Sequence, residues 1–462
     1  MILQSMPIFA QQQELKMATV MPKENNGTNA TSLLNAFKSG TVSGHFRYFF
    51  MNTDNQNNLT DYYANAAGGR LKFETAKFYG FQIGVSGYFT FNLGSSDFSK
   101  PDSTTQQLNR FESSLFDIEQ TSNKNNLAKL QELYIKYQFK KSNIVLGRQL
   151  LNTPFINTQD GRMMPTGVSG AWLNINDFKK IKLEGGWING ITPRGTINFY
   201  KTAASFGVYP TGVNIDGSKS NYHNNLKNDG VALIGIHYAL NNELKFQFWN
   251  MFVSNIFNTE MVQFDWEHHL KDSSVFFTAV QGIHQVAVND GGNADPSKTY
   301  FTKDQQTFAF GGKMGWRNKK IEASINYNRI TSDGRYLMPR EWGKDPFFTF
   351  MSRERNEGLG NVNAFVAKLN YNFPKSNFKT SLSYGYYHLP DVKNYKLNKY
   401  GMPSYAQINL DLRYSFSGLL KGFETQLLVV GKMNHGNTYQ NDKYVFNRVN
   451  LVQCNFVINY NF

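Results

Sequence analysis

The chain has 462 residues, one Cys, 13 Pro and 15% aromatic residues, a length and a richness in Tyr and Phe that exclude a disordered polymer. Its mean hydropathy is negative and no uninterrupted apolar run approaches the roughly 20 residues of a membrane-spanning helix, which excludes helical membrane proteins but not a barrel, where only alternate residues face lipid. With Cys454 alone, neither an intramolecular disulfide nor a Cys-based zinc cage can form. The formal charge of +14 suits an anionic membrane surface or acidic solutes; no Lys/Arg run dominates any segment, which argues against nucleic acid as a partner.

Residues 1–10 read as a truncated signal-peptide remnant, an apolar stretch over 6–9 ending in Ala10 before Gln11-Gln12-Gln13. Residues 11–40 read as a periplasmic N-terminal tail, weakly helical over 32–38. From Thr41 the period becomes two: Val42, Phe46, Tyr48 and Phe50 share one parity, and Ser43, His45 and Arg47 the other. The same alternation predicts strands near 41–51, 66–76, 80–92, 128–139, 143–150, 167–176, 180–190, 228–240, 243–253, 257–269, 272–284, 305–317, 319–329, 361–373, 377–389, 404–417, 421–433 and 448–462.

Connections alternate between short turns, such as Lys140-Lys141-Ser142 and Arg317-Asn318, and long loops at 93–127, 191–227, 285–304 and 330–360. A water-soluble sheet also alternates. The aromatics decide between the two: Tyr137/Phe139, Tyr371/Phe373, Tyr414/Phe416 and Tyr460/Phe462 lie at strand ends beside short turns, where an interfacial girdle belongs. A last strand ending in Phe462 also resembles the assembly signal of outer-membrane barrels. The expected fold is all-β: a transmembrane antiparallel barrel of about 18 strands over 41–462, with short periplasmic turns and long extracellular loops, in the outer membrane of a Gram-negative bacterium.

Several segments, in order along nearly the whole chain, resemble the OprD-type family of substrate-specific outer-membrane porins. They are Ala36-Phe37-Lys38-Ser39-Gly40-Thr41-Val42-Ser43-Gly44-His45-Phe46-Arg47, then Leu133-Tyr134-Ile135-Lys136-Tyr137 and Leu146-Gly147-Arg148-Gln149. Asn152-Thr153-Pro154, Asp160-Gly161-Arg162-Met163-Met164-Pro165 and Ser417-Gly418-Leu419-Leu420-Lys421-Gly422 follow. The resemblance implies an eighteen-stranded monomeric barrel, an inward-folded third loop, a further constricting loop, and a ladder of basic residues guiding carboxylate-bearing solutes. Ser169, Thr425 and Leu427 stand where the family commonly carries Arg or an Arg-containing strand, so no substrate identity follows.

Taking the polar parity as lumen-facing, the wall holds Arg47, Arg70, Lys72, Lys136, Lys182, Lys245, Lys313, Arg317, Lys368, Lys379 and Arg413 against Glu74, Glu132, Glu184, Asp265, Glu267, Glu322 and Asp411. That is a net of about +4. Pairs such as Arg70 with Glu74 or Asp411 with Arg413 are expected to neutralise one another. Segment 151–166, with Arg162 at its tip beside Asp160, is the first pore-narrowing candidate. Loop 330–360 is the second, with Arg335, Arg340, Lys344, Arg353 and Arg355 among Tyr336, Trp342, Phe347, Phe348 and Phe350.

No nucleophile–base arrangement, metal-ligand set or cofactor motif is evident. His268-His269 point to opposite faces, and Asp290-Gly291-Gly292-Asn293-Ala294-Asp295 reads as a plain Gly-rich turn rather than a calcium loop. The expectation is a non-enzymatic porin for small, preferentially anionic solutes. Its other partners would be outer-membrane lipid and lipopolysaccharide, and possible neighbouring outer-membrane proteins or lipoproteins. The rival reading is a structural or assembly subunit with a loop-plugged barrel.

Overall fold

The computed structural model describes residues 29–462; the stretch expected to be a signal remnant lies outside them. The wall is built from β1 (Thr41–Asp54), β2 (Tyr62–Glu74), β3 (Phe81–Ser95), β4 (Leu127–Phe139), β5 (Ser142–Gln149), β6 (Gly167–Ile175), β7 (Ile181–Thr192), β8 (Val231–Ala239) and β9 (Leu244–Val253). It continues through β10 (Phe257–His269), β11 (Val275–Ala287), β12 (Gln306–Arg317), β13 (Ile321–Ile330), β14 (Val362–Asn372), β15 (Phe378–His388), β16 (Tyr405–Ser415), β17 (Phe423–Asn434) and β18 (Leu451–Asn461). Each strand pairs antiparallel with its chain neighbours. The ring closes where β1 pairs with β18, from His45 opposite Asn461 to Asp54 opposite Val452. A two-residue strand, Tyr200–Lys201, pairs only with Gly190 and Ile191 and stands outside this eighteen-strand ring.

The alternation is inverted relative to a protein in water. In β1, His45, Arg47 and Thr53 are buried inside, whereas Val42 and Phe46 are 59% and 52% exposed outside. Leu71, Phe91, Phe310, Ile325 and Phe365 continue this apolar outer surface, so the exposed side chains are the ones lipid would cover. At the short-turn end, rings pair into a girdle: Phe81–Tyr137 at 4.7 Å, Tyr371–Phe373 at 4.6 Å, Tyr414–Phe416 at 4.8 Å and Phe423–Tyr460 at 4.6 Å. Helix α1 (Leu33–Lys38), N-capped by the Ser32 hydroxyl, lies at this same end. The Ala36 carbonyl accepts the Ala76 amide of the first short turn.

Two deviations from the expected strands have physical causes. β2 starts at Tyr62, earlier than expected, because Tyr62 to Asn65 extend the pairing opposite Phe50 to Thr53 and shorten the first loop. A bulge in β4 sets Ser86 opposite Glu132 but Gly87 opposite Leu130, so one extra residue changes the parity. Lys129 therefore faces inward together with Glu132, which an uninterrupted period of two does not allow.

Candidate functional site

The interior is narrowed by loops that fold back into it. Loop 150–166 buries Leu151, Phe155, Ile156, Met163 and Met164, and its anchor is electrostatic. Asp160 accepts two hydrogen bonds from Arg47 of β1, at 2.8 and 3.1 Å, while Arg47 also donates to Asn459 at 2.8 Å and to the Arg162 carbonyl at 2.5 Å. A guanidinium fork thus ties the loop to the wall. Gly68 permits this approach: a Cβ there would lie 2.1 Å from the Phe89 carbonyl oxygen and 3.1 Å from the Met163 methyl.

Loop 331–361 sits beside it. Tyr336, Trp342, Phe347, Phe348 and Phe350 are all buried, so the aromatics of this loop pack into the barrel interior. Trp342 meets Phe206 edge-on at 4.9 Å and its indole N–H donates to Ser205 at 2.9 Å. The two loops are knitted together through Asn157, whose amide donates to the Trp342 carbonyl at 3.0 Å and whose side-chain oxygen accepts the Lys344 amide at 3.0 Å. From the wall, Lys368 donates to the carbonyls of Phe348 and Phe350 at 3.1 and 3.0 Å, and Lys432 donates to that of Arg353 at 2.7 Å.

These loops, with 96–126, 193–230, 389–404 and 435–450, enclose a cavity of about 830 Å³. Among the described residues, nine basic side chains line it (Arg110, Arg162, Arg194, Lys219, Arg340, Arg353, Arg355, Lys432 and Arg448), against Glu354 and Glu357 alone. Arg340 holds Glu357 at 2.8 Å and stacks over Tyr400 at 3.5 Å; burial opposes its charge, but Tyr400 and Glu357 outweigh it and raise its pKa. Arg448 donates to Gln107 at 3.0 Å and meets no carboxylate among the described residues; burial and then Arg340 push it down to about 10. Arg110 forms no hydrogen bond or ion pair among the described residues. Burial, followed by repulsion from Arg340, Arg448 and Arg355, pulls its pKa well down. Burial likewise raises the Glu354 carboxyl, which weakens the little negative charge present. The basin is a concentration of guanidinium groups with few internal counter-ions, in a volume that fits a small solute.

A model of the outer membrane porin, OprD family, matches residues 37–355. The chain belongs to that family. The porin is therefore an outer-membrane β-barrel of a Gram-negative bacterium. Its fold is similar to three Pseudomonas aeruginosa structures. OpdK with vanillate has 14% identity, with 92% of this chain and 99% of that chain covered and a TM-score of 0.71. OccK9 (OpdG) gives the same four figures, 14%, 92%, 99% and 0.71. OccK3 (OpdO) has 15% identity, with 93% and 97% covered and a TM-score of 0.68. At these identities the likeness is one of fold. No curated protein matches the chain.

Of the sequence-derived site residues, the porin brings Arg162, Arg340 and Arg353 to the cavity. Asp160 and Arg47 neutralise one another as the loop anchor, and Lys368 is occupied by loop carbonyls. Lys72 pairs with Glu132 at 2.9 Å, and Arg413 with Asp411 at 2.7 Å, the latter as expected. The expected Arg70–Glu74 pair does not form: Glu74 instead accepts from Tyr134 and Gln82. Arg70 and Lys136 keep to the wall with no ion pair among the described residues. The Asp290 and Asp295 carboxylates of the Gly-rich turn pair with Lys303 and Lys298 at 3.0 and 2.9 Å. Arg110, Arg194 and Arg448 escaped the sequence reading because loops without periodicity give no facing. Lys432 escaped because Leu427, Leu428, Val429 and Val430 make both faces of β17 apolar.

Proposed function

We propose that this porin passes small, preferentially anionic or carboxylate-bearing solutes by passive diffusion through a basic, loop-constricted pore. The observation that carries this reading is the nine-to-two excess of basic over acidic side chains around the loop-enclosed cavity. Within low-dielectric walls such an excess raises the local concentration of anions. Guanidinium forks favour planar carboxylates, while the mixture of paired and unpaired groups keeps binding weak enough for release. Arg162, Arg340 and Arg353 act at the constriction with Arg110 and Arg448, and Arg70 and Lys136 extend the field along the wall, where Lys72 and Arg413 are neutralised by Glu132 and Asp411. One fold neighbour, OpdK, was crystallised with vanillate, itself a carboxylate, which agrees with this chemistry. The test is the reversal potential of single channels in asymmetric potassium chloride. Anion selectivity is expected; cation selectivity, or the lack of any channel, would overturn the reading.

A further inference from the structure

Charge is distributed unevenly between the two ends of the barrel. The long loops carry twenty basic residues against nineteen acidic, close to neutrality. The eight short turns carry ten lysines and no arginine against only Asp177, Glu243 and Asp272. Seven of the eight contribute, and three do so twice, at Lys140-Lys141, Lys179-Lys180 and Lys319-Lys320. All but Lys77 are exposed, and none of the ten forms an ion pair among the described residues. The three acids are already engaged: Asp177 by Ser142 and the Lys141 amide, Asp272 by Ser274, and Glu243 by His268. The result is a cationic ring around the periplasmic rim.

Apolar tips accompany these lysines at the same level. Leu419 is fully exposed, Tyr79 78% and Phe178 59%, and helix α1 leaves Leu33, Leu34 and Phe37 uncovered. The lysines follow directly on the aromatic girdle, as in Phe139-Lys140-Lys141 and Phe373-Pro374-Lys375. Aromatic rings settle where headgroups meet acyl chains, so an ammonium one or two residues further on, carried on a flexible stem, reaches the phosphate level. Anionic headgroups attract lysine at about fivefold in affinity per residue, an effect that salt screens.

We propose that the periplasmic rim is a docking surface for anionic phospholipid of the inner leaflet, the lysine ring holding headgroup phosphates and the apolar tips entering the headgroup–acyl boundary. An anionic cell-wall polymer would complement the charge but leave Tyr79, Phe178 and Leu419 in water, so lipid is the better match.

The test uses the full-length barrel in nanodiscs of mixed phosphatidylglycerol and phosphatidylethanolamine, with the retained lipid quantified after extraction. Parent protein is expected to retain phosphatidylglycerol in excess of its share in the disc. The variant Lys140→Gln/Lys141→Gln/Lys319→Gln/Lys320→Gln should lower that excess about fivefold or more. A loop control with the same charge change, Lys298→Gln/Lys303→Gln/Lys393→Gln/Lys396→Gln, should keep it. Equal enrichment in parent and turn variant, or equal loss in the control, would overturn the proposal. Loss of binding to isolated peptidoglycan with lipid retention unchanged would also overturn it, by assigning the ring to the cell wall. If the fourfold variant does not insert, the two double variants are compared in the same way.

Discussion

Replacing Asp160 by Asn isolates what fastens the inward loop to the wall. Arg47 and Asp160 are 1% and 8% exposed, and the substitution keeps the shape while removing the carboxylate that faces the buried guanidinium. Two unit charges about 4 Å apart attract by about 4 kcal/mol at an effective dielectric of 20. Removing one member of a buried pair costs about 3–5 kcal/mol, because the survivor keeps its desolvation penalty. Arg47 would retain Asn459 and the Arg162 carbonyl, and Asn157 would still bind loop 331–361, so the segment should loosen without leaving the lumen. In planar bilayers D160N should show larger unitary conductance and more open-channel noise. Its reversal potential should shift toward stronger anion selectivity, since Arg47 then lacks its counter-charge. Thermal unfolding in detergent should begin at lower temperature. Parent-like conductance, noise and unfolding in D160N would refute the anchoring role.

Further outcomes follow from the same geometry. Arg162→Ala should widen conductance and reduce anion preference, whereas Arg110→Ala, which breaks no hydrogen bond among the described residues and relieves a buried, repelled charge, should reduce anion preference without lowering the unfolding temperature; reversal potentials and thermal scans separate the two. Lys368→Met releases the Phe348 and Phe350 carbonyls and should destabilise loop 331–361 by about 1–3 kcal/mol, visible as earlier protease cleavage of that loop. Lys399 lies in loop 389–404, and burial, despite the pull of Glu357, lowers it from 10.5 to about 8. Between those values the unfolded chain holds a proton that the folded loop does not, so stability from this group rises with pH from about 8 to 10.5 and is lost as pH falls through 8. Lys399→Met should remove that slope from the thermal-unfolding profile and raise stability at pH 7.

The wall of the barrel was legible in the sequence because a period of two, with lipid on one side and water on the other, writes itself into every strand. Val42, Phe46 and Phe91 face out, and Ser43, His45 and Arg47 face in, as their parity requires. Parity failed where the backbone adds a residue, as in the β4 bulge that turns Lys129 inward to donate to Thr192 at 3.0 Å. The loops obey no such period. Arg162 and the arginines of 330–360 could be located by motif and by aromatic density. Arg110 and Arg448 reach the cavity only through tertiary folding of segments whose sequence carries no facing signal. Neutralisation was hardest to anticipate: Arg47 and Asp160 are separated by 112 residues yet cancel one another, and this shifts the basic character from the first strand to the loops.

Solute flux measures the central claim most directly. Proteoliposomes holding the purified porin can be offered an aromatic carboxylate and its uncharged amide of matched size, with uptake followed for both. A pore governed by the basic loop cavity should admit the carboxylate faster, and that preference should shrink in Arg110→Ala and Arg162→Ala. Equal uptake of the two solutes, or faster entry of the amide, would contradict the account.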